Sequence, residues 1–269
     1  MSGPCVLEAE DGTLRMWYSG HDGSAARILH AVQPPGRPWQ RLGIALDLGL
    51  AGGSDSYGVE SPSVVPTADG YLMAYAGSDG MDTRLHLAAS TDGTAWKPLG
   101  PILPADEHDA VSATHPWLLT SGTDWWLFYS GYDGTRTGRA SILAAVSRSG
   151  TDWDRVGPVL EPGTGVMAVS EPSVVTVRRR FLMFFVSDDG GPSTIQMATS
   201  ADGVTWHPQG NVLPGSGDEV DTLSERSPCA VRLRDHTLKL WFAGRRMSDT
   251  DGADRIWEAT FTGDGDWPT

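Results

Sequence analysis

The chain has 269 residues, of which 39% are hydrophobic, and a formal charge of −14. That length and composition suffice for a sizeable core, while the acidity argues against a nucleic acid or an anionic membrane as partner, since both call for a basic face. No apolar stretch approaches the roughly 18 residues of a membrane span, and no charged-plus-apolar leader precedes the first apolar run, so the expected setting is soluble and cytoplasmic.

In chain order, the same unit recurs five times. Each copy opens with a short apolar run after a proline: Pro4-Cys5-Val6-Leu7, Pro62-Ser63-Val64-Val65, Pro116-Trp117-Leu118-Leu119, Pro172-Ser173-Val174-Val175 and Pro228-Cys229-Ala230-Val231. A polar turn follows, then an aromatic-rich run: 14–18, 71–75, 125–129, 181–185 and 238–242. A second turn leads to a third run at 28–32, 85–90, 142–147, 195–200 and 256–261. A Ser-x-Asp-Gly-x-x-Trp ending then leads into a fourth; it is clearest at Ser90 to Trp96 and Ser200 to Trp206, looser at Ser147 to Trp153, and degraded at Trp39 and Trp267. The tryptophans are spaced by 57, 57, 53 and 61 residues.

Runs of this kind, β-branched and aromatic and bounded by Gly, Asp, Pro and Ser, predict strands and tight turns. A fixed period of four such runs predicts an all-β, five-bladed β-propeller of four-stranded antiparallel blades. The expected blades span about 1–43, 58–100, 112–157, 169–210 and 224–269, in a single domain. Little chain flanks the first and last units, so ring closure is expected by packing of the fifth blade on the first, without an exchanged strand. Cys5 and Cys229 occupy the same position in the first and last units and are expected to be free buried thiols.

In a propeller the first strand of each blade lines the central channel, so function belongs at the residues just before the repeated proline. Positions that serve the fold should agree between copies; positions that serve a site should differ. The turn Gly, Asp and Trp agree, and Asp92 and Asp202 are expected to accept backbone N–H bonds within their turns. The residues before the proline do not agree. They deliver Glu60, His115, Glu171, Glu225 and Arg226 to one mouth. The linkers add Tyr57, His108, Asp109, Asp218, Glu219 and Asp221, and the second class of turn adds His21, Tyr132, Asp188, Asp189, Arg245 and Arg246. No spacing motif supports a metal, and no cofactor is expected.

Blade number, strand pattern and the Ser-x-Asp-Gly-x-x-Trp ending resemble the five-bladed glycosidases, families 43, 32, 62 and their relatives, over the whole chain. The resemblance implies a mouth built on innermost-strand carboxylates: a first-blade Asp as base or nucleophile, a mid-chain Asp that orients, and a fourth-blade Glu as general acid. Ser170-Glu171-Pro172 matches the acid position. Gly3-Pro4 stands where the first Asp would be, and Thr114-His115-Pro116 where the second would be. The implied function is a glycosidase-like enzyme acting on a small sugar or glycosylated metabolite. Glu171 would be the acid and Glu60 or Glu225 the base, while His115, Arg226, Tyr57, Asp109, Arg245, Arg246 and Tyr132 would bind substrate. The alternatives are a carbohydrate- or metabolite-binding propeller without catalysis, or a lyase or cyclase using His115 and a Glu as its acid–base pair.

Overall fold

The structure is a computed structural model that describes residues 1–134, 139–213, 222–246 and 253–261. It is the expected five-bladed propeller, and among the described residues it contains strands and no helix. Blade one comprises β1 (Ser2–Glu8), β2 (Leu14–His21), β3 (Ala26–Gln33) and β4 (Gln40–Leu46). Blade two comprises β5 (Gly58–Thr67), β6 (Gly70–Ser78), β7 (Thr83–Ser90) and β8 (Lys97–Pro101). Blade three comprises β9 (Ser112–Ser121), β10 (Asp124–Tyr132), β11 (Ala140–Ser147) and β12 (Asp154–Leu160). Blade four comprises β13 (Ala168–Val177), β14 (Arg180–Asp188), β15 (Thr194–Ser200) and β16 (His207–Asn211). Blade five shows β17 (Thr222–Arg232), β18 (Leu238–Arg246) and β19 (Arg255–Phe261), and Trp267 lies outside the described residues. Neighbours within each blade pair antiparallel, and a single parallel bridge, Thr83 to Ser112, joins blades two and three.

The core lies between blades. Each of its apolar clusters draws on more than one blade, as where Trp17 of β2 packs with Val64, Met73 and Tyr75 of blade two. The repeated turn explains its own sequence. Ser90 Oγ accepts the Gly93 amide at 2.8 Å, and Asp92 Oδ1 accepts the amides of Thr94 at 2.7 Å and Ala95 at 3.1 Å. Gly93 has φ +71°, and a Cβ there would meet the Trp17 ring at 3.0 Å. Its carbonyl accepts the indole N–H of Trp96 from its own blade and of Trp17 from the blade before. Asp202 repeats the Asp92 bonds in blade four.

A ring of side-chain-to-backbone bonds ties the innermost strands together, and no sequence pattern had pointed to it. The residue after each repeated proline reaches the next blade. Cys5 Sγ accepts the Val64 amide at 3.1 Å, Ser63 Oγ the Leu118 amide at 2.8 Å, and Ser173 Oγ the Ala230 amide at 2.9 Å. Trp117 reverses the polarity: its indole N–H donates to the Val174 carbonyl at 2.8 Å. Cys229 Sγ accepts the Val6 amide at 3.2 Å and so closes the ring. Both cysteines are free and buried, and burial pushes the Cys5 thiol up to about 12, so both serve as neutral sulfur acceptors. The N-terminal strand pairs with β2 of its own blade; blade five packs on blade one through an apolar cluster of Val6, Met16 and Tyr18 with Cys229 and Trp241, and bonds it through Cys229, through Glu8, which accepts the Arg234 amide at 2.7 Å, and through the Met1 ammonium, which donates to the Asp254 carbonyl at 3.3 Å. Among the described residues no helix is long and apolar enough to cross a membrane.

Candidate functional site

The five residues before the repeated prolines share one unusual backbone state. Gly3, Ser61, His115, Glu171 and Ser227 have φ of 56°, 53°, 48°, 56° and 52°. Proline restricts its predecessor mainly to extended conformations, and left-handed backbone is costly for residues other than Gly, so four of these five positions carry strain of order 1–3 kcal/mol each. In all five blades the register between first and second strands slips at this point. The bulge lifts one residue out of the ladder and into the channel. The result is a shallow depression, open to solvent, lined by those five residues, their five prolines and Trp117.

The lifted residues also need partners for their amides. Ser19 and Ser130, at equivalent positions of β2 and β10, accept the amides of Ser61 and Glu171, each at 2.8 Å. In blade four the equivalent position is Val186, which has no acceptor. There Glu171 Oε2 takes the role, accepting the Ser227 amide at 2.5 Å and the Ser227 hydroxyl at 2.9 Å. The other oxygen, Oε1, lies 3.9 Å from His115 Nε2. His115 Nδ1 shares a 3.0 Å hydrogen bond with Thr114 Oγ1. Tyr132 stands behind this pair, hydrogen-bonded to Thr114 and Ser170; burial and the nearby Glu171 charge raise its phenol pKa, so it is a neutral hydroxyl. The connected unit is therefore Tyr132–Thr114–His115–Glu171–Ser227. Its electrostatics are those of one carboxylate faced by neutral donors and an imidazole.

Of the candidates named from sequence, His115 and Glu171 line the pocket and Tyr132 joins them. The others are placed elsewhere. Glu60 is half-buried on β5 outside the pocket lining. Glu225 is tied to blade four: its amide bonds the Ser193 carbonyl, and its Oε2 accepts the Ile195 amide at 3.4 Å. Arg226 is exposed and reaches Ser224 at 3.5 Å. Tyr57 is 63% exposed and rests against Gly80. Asp109 is 1% exposed and clamps its linker, bonding Arg155 at 2.7 Å, the Tyr129 hydroxyl at 3.3 Å and the Asp106 amide at 2.8 Å. Asp55 holds Tyr75 in the same way one blade earlier, at 2.8 Å. Arg245 pairs with Asp254 at 3.2 Å. Arg246 ends β18, and its side chain, with Asp218, Glu219 and Asp221, lies outside the described residues. His108 is exposed beside Glu107, while His21, Asp188 and Asp189 accept amides of their own turns.

Two features of the pocket escaped the sequence reading. Ser227 anchors Glu171, and its signal was its place before the proline, where a serine draws no notice beside Glu225 and Arg226. Gly3 closes the first-blade position, since a Cβ there would lie 3.1 Å from Ser19 Oγ and 3.2 Å from Ser61 Cα. A longer side chain would crowd the neighbouring blade.

No protein-family model matches the chain. Two proteins of Mycobacterium tuberculosis, the uncharacterized proteins MT1551 of strain CDC 1551 / Oshkosh and Rv1502 of strain H37Rv, are each 26% identical to it over 258 residues, covering 86% of this chain and 84% of theirs. Among solved structures, a glycoside hydrolase aligns with a TM-score of 0.79 at 17% identity, over 98% of this chain and 88% of that one. A thermostable family-43 glycoside hydrolase aligns with a TM-score of 0.76 at 15% identity, over 98% of this chain and 90% of that one. An α-L-arabinofuranosidase from Lactobacillus brevis also gives 0.76, at 13% identity, over 97% and 90%. The structural neighbours are thus family-43 and related glycoside hydrolases, and the likeness is one of fold.

Proposed function

We propose that this propeller takes a small sugar-like ligand at its central mouth, with Glu171 as the acid–base group and His115 as the residue that positions it. The observation that carries the proposal is the asymmetry of the Glu171 carboxylate. Ser227 holds Oε2 from two sides, while Oε1 faces the His115 imidazole at 3.9 Å. A carboxyl group fixed by one oxygen and offered by the other is suited to exchanging a proton with a glycosidic or hydroxyl oxygen. The fold shared with glycoside hydrolases supports the ligand class.

A second reading, sugar binding without hydrolysis, is favoured by the composition of the pocket. Two-carboxylate glycoside hydrolysis sets its carboxyl groups about 5–5.5 Å apart for retention or 6.5–9.5 Å for inversion. Among the described residues Glu171 is the carboxylate that lines the pocket, and neither Glu60 nor Glu225 does. The experiment is a screen of aryl glycosides, with calorimetry on the free sugars, for wild type and Glu171→Gln. The amide keeps an acceptor for Ser227, so the variant folds and binds, and turnover falls by at least ~100-fold. Undiminished turnover in the variant would overturn Glu171 as the acid–base group. Binding without turnover in wild type establishes the second reading.

A further inference from the structure

Equal places in different blades separate what the fold needs from what one blade adds. In each of blades one, two and three, the third strand sets a residue opposite a tyrosine of the second. Blades one and three use leucine: Leu29 lies opposite Tyr18 and Leu143 opposite Tyr129, and each packs where Gly20 or Gly131 leaves room. Blade two uses His86, opposite Tyr75 and beside Gly77, stacked on the Tyr75 ring at 5.2 Å. Packing does not call for an imidazole at a place that leucine fills in two other blades.

His86 is 1% exposed, and both of its ring nitrogens are engaged. Nδ1 lies 3.0 Å from the Arg84 carbonyl, which can only accept, so Nδ1 carries the proton and Nε2 keeps its lone pair. Burial lowers the His86 pKa, so the ring is neutral near neutral pH. The Ser54 hydroxyl donates to Nε2 at 2.8 Å. Ser54 is exposed, on the loop that enters β5. An exposed serine whose proton already points at a neutral imidazole, itself held by a third group, is the arrangement of an activated nucleophile. The amides of Ser54 and Asp55 bond no backbone carbonyl among the described residues, and the Asp55 carboxylate is turned inward to the Tyr75 hydroxyl at 2.8 Å. Those two N–H groups are the donors at hand for an oxyanion formed at Ser54. The three most exposed large apolar side chains among the described residues belong to this loop and the turn beside it: Met81 at 94%, Leu50 at 89% and Tyr57 at 63%. The Leu50 carbonyl accepts the Gly53 amide at 2.8 Å, and the Tyr57 ring rests against Gly80, next to Met81. An apolar acyl group finds a surface there.

We propose that Ser54 and His86 form a second, hydrolytic site on the rim of blade two that cleaves esters of short apolar acids. Neither residue lines the central mouth. The Ser54 oxygen bonds the acyl carbon as its proton passes to His86 Nε2. The ester C–O bond then breaks, and the alcohol leaves with that proton. Water gives a proton to the same nitrogen as it attacks the acyl-serine. The acid departs as Ser54 takes that proton back. Arg84 acts through its carbonyl, as the positioning residue for the ring.

The test treats the whole chain with diisopropyl fluorophosphate, which transfers its phosphoryl group to an activated serine with loss of fluoride. Mass spectrometry maps the label, and hydrolysis of p-nitrophenyl butyrate is followed in parallel. Ser54 takes the label, and the labelled chain no longer hydrolyses the ester. Ser54→Ala, at an exposed position, loses both. His86→Leu, a residue blades one and three already accommodate, keeps the Ser54 hydroxyl and lowers labelling and turnover by at least ~100-fold. A melting scan checks that this variant folds, and Ser54→Ala with the label map carries the test if it does not. The butyrate ester is turned over faster than the acetate, and Met81→Ser narrows the difference. A label absent from Ser54, undiminished hydrolysis in Ser54→Ala, or wild-type labelling in folded His86→Leu would overturn the proposal, and Ser54 would then do no more than satisfy a buried ring. Equal rates on the two esters would overturn the apolar acyl class.

Discussion

Removing one hydroxyl from the innermost ring should weaken the whole propeller. Ser173 is fully buried, and its Oγ is the acceptor for the Ala230 amide of the next blade at 2.9 Å. Ser173→Ala deletes the acceptor and leaves that amide buried without a partner, because Cys229 and Ala230 are themselves sealed from solvent. An orphaned buried donor costs about 1–3 kcal/mol. For a chain of this size each kcal/mol lowers the melting temperature by about 2–4 °C, so the expected drop is about 2–12 °C. Urea unfolding should show a lower midpoint with the same slope, since the surface exposed on unfolding does not change. Ser63→Ala removes the equivalent bond to Leu118 at the junction of blades two and three, which shares no blade with the junction of blades four and five. The two losses should therefore add to within about 0.5 kcal/mol. A Ser173→Ala protein within about 0.3 kcal/mol of wild type would refute the reasoning, because the amide would then have another partner and the ring bond no weight.

Three further outcomes follow from groups described above. Ser61→Val places a β-branched side chain at φ +53° before a proline and should cost about 1–3 kcal/mol, read as a shifted urea midpoint. His30 is 2% exposed, stacked on Trp17 at 5.1 Å, and burial holds its pKa down to about 4 from 6.5. The unfolded chain therefore binds this proton first, so the contribution is complete above pH 6.5 and is lost as pH falls toward 4, by up to about 3 kcal/mol. His30→Phe, which keeps the stacked ring, should flatten that part of the stability–pH profile; an unchanged slope would exclude His30 as its source. Asp109→Asn should lower stability by about 3 kcal/mol by breaking the buried pair with Arg155 while leaving ligand affinity at the mouth unchanged in calorimetry, and the opposite pattern would return Asp109 to the binding site.

The fold was legible because its signals are local and repeated five times. Each turn must solve the same backbone problem, so Ser90, Asp92, Gly93 and Trp96 recur with little change, and each first strand begins at the same proline. The mouth was legible in outline for a related reason: positions that vary among otherwise equal copies stand out, and His115 and Glu171 are two of them. The rest was hidden by facing direction. Glu60 stands one residue before the lifted position, and a strand alternates its faces, so it falls outside the channel lining; Glu225 stands two residues before it, and its carboxylate is turned to the Ile195 amide of blade four. Asp109 looked like a loop residue because its partner, Arg155, comes from β12, 46 positions on. The inner ring went unseen because serine and cysteine do the same work at Ser63, Ser173, Cys5 and Cys229, and composition treats them as different residues.

The inner ring gives the molecule a set of built-in probes. Most amides in a blade are bonded to strands of the same blade and are released only when that blade comes apart. The amides of Val6, Val64, Leu118 and Ala230 are held instead by side chains of the blade before. Their protons exchange with solvent when two blades part, even if each sheet stays whole. Four amides spread around the channel thus report, one junction at a time, how often the circle opens. The slowest-exchanging positions elsewhere report the unfolding of the sheets themselves.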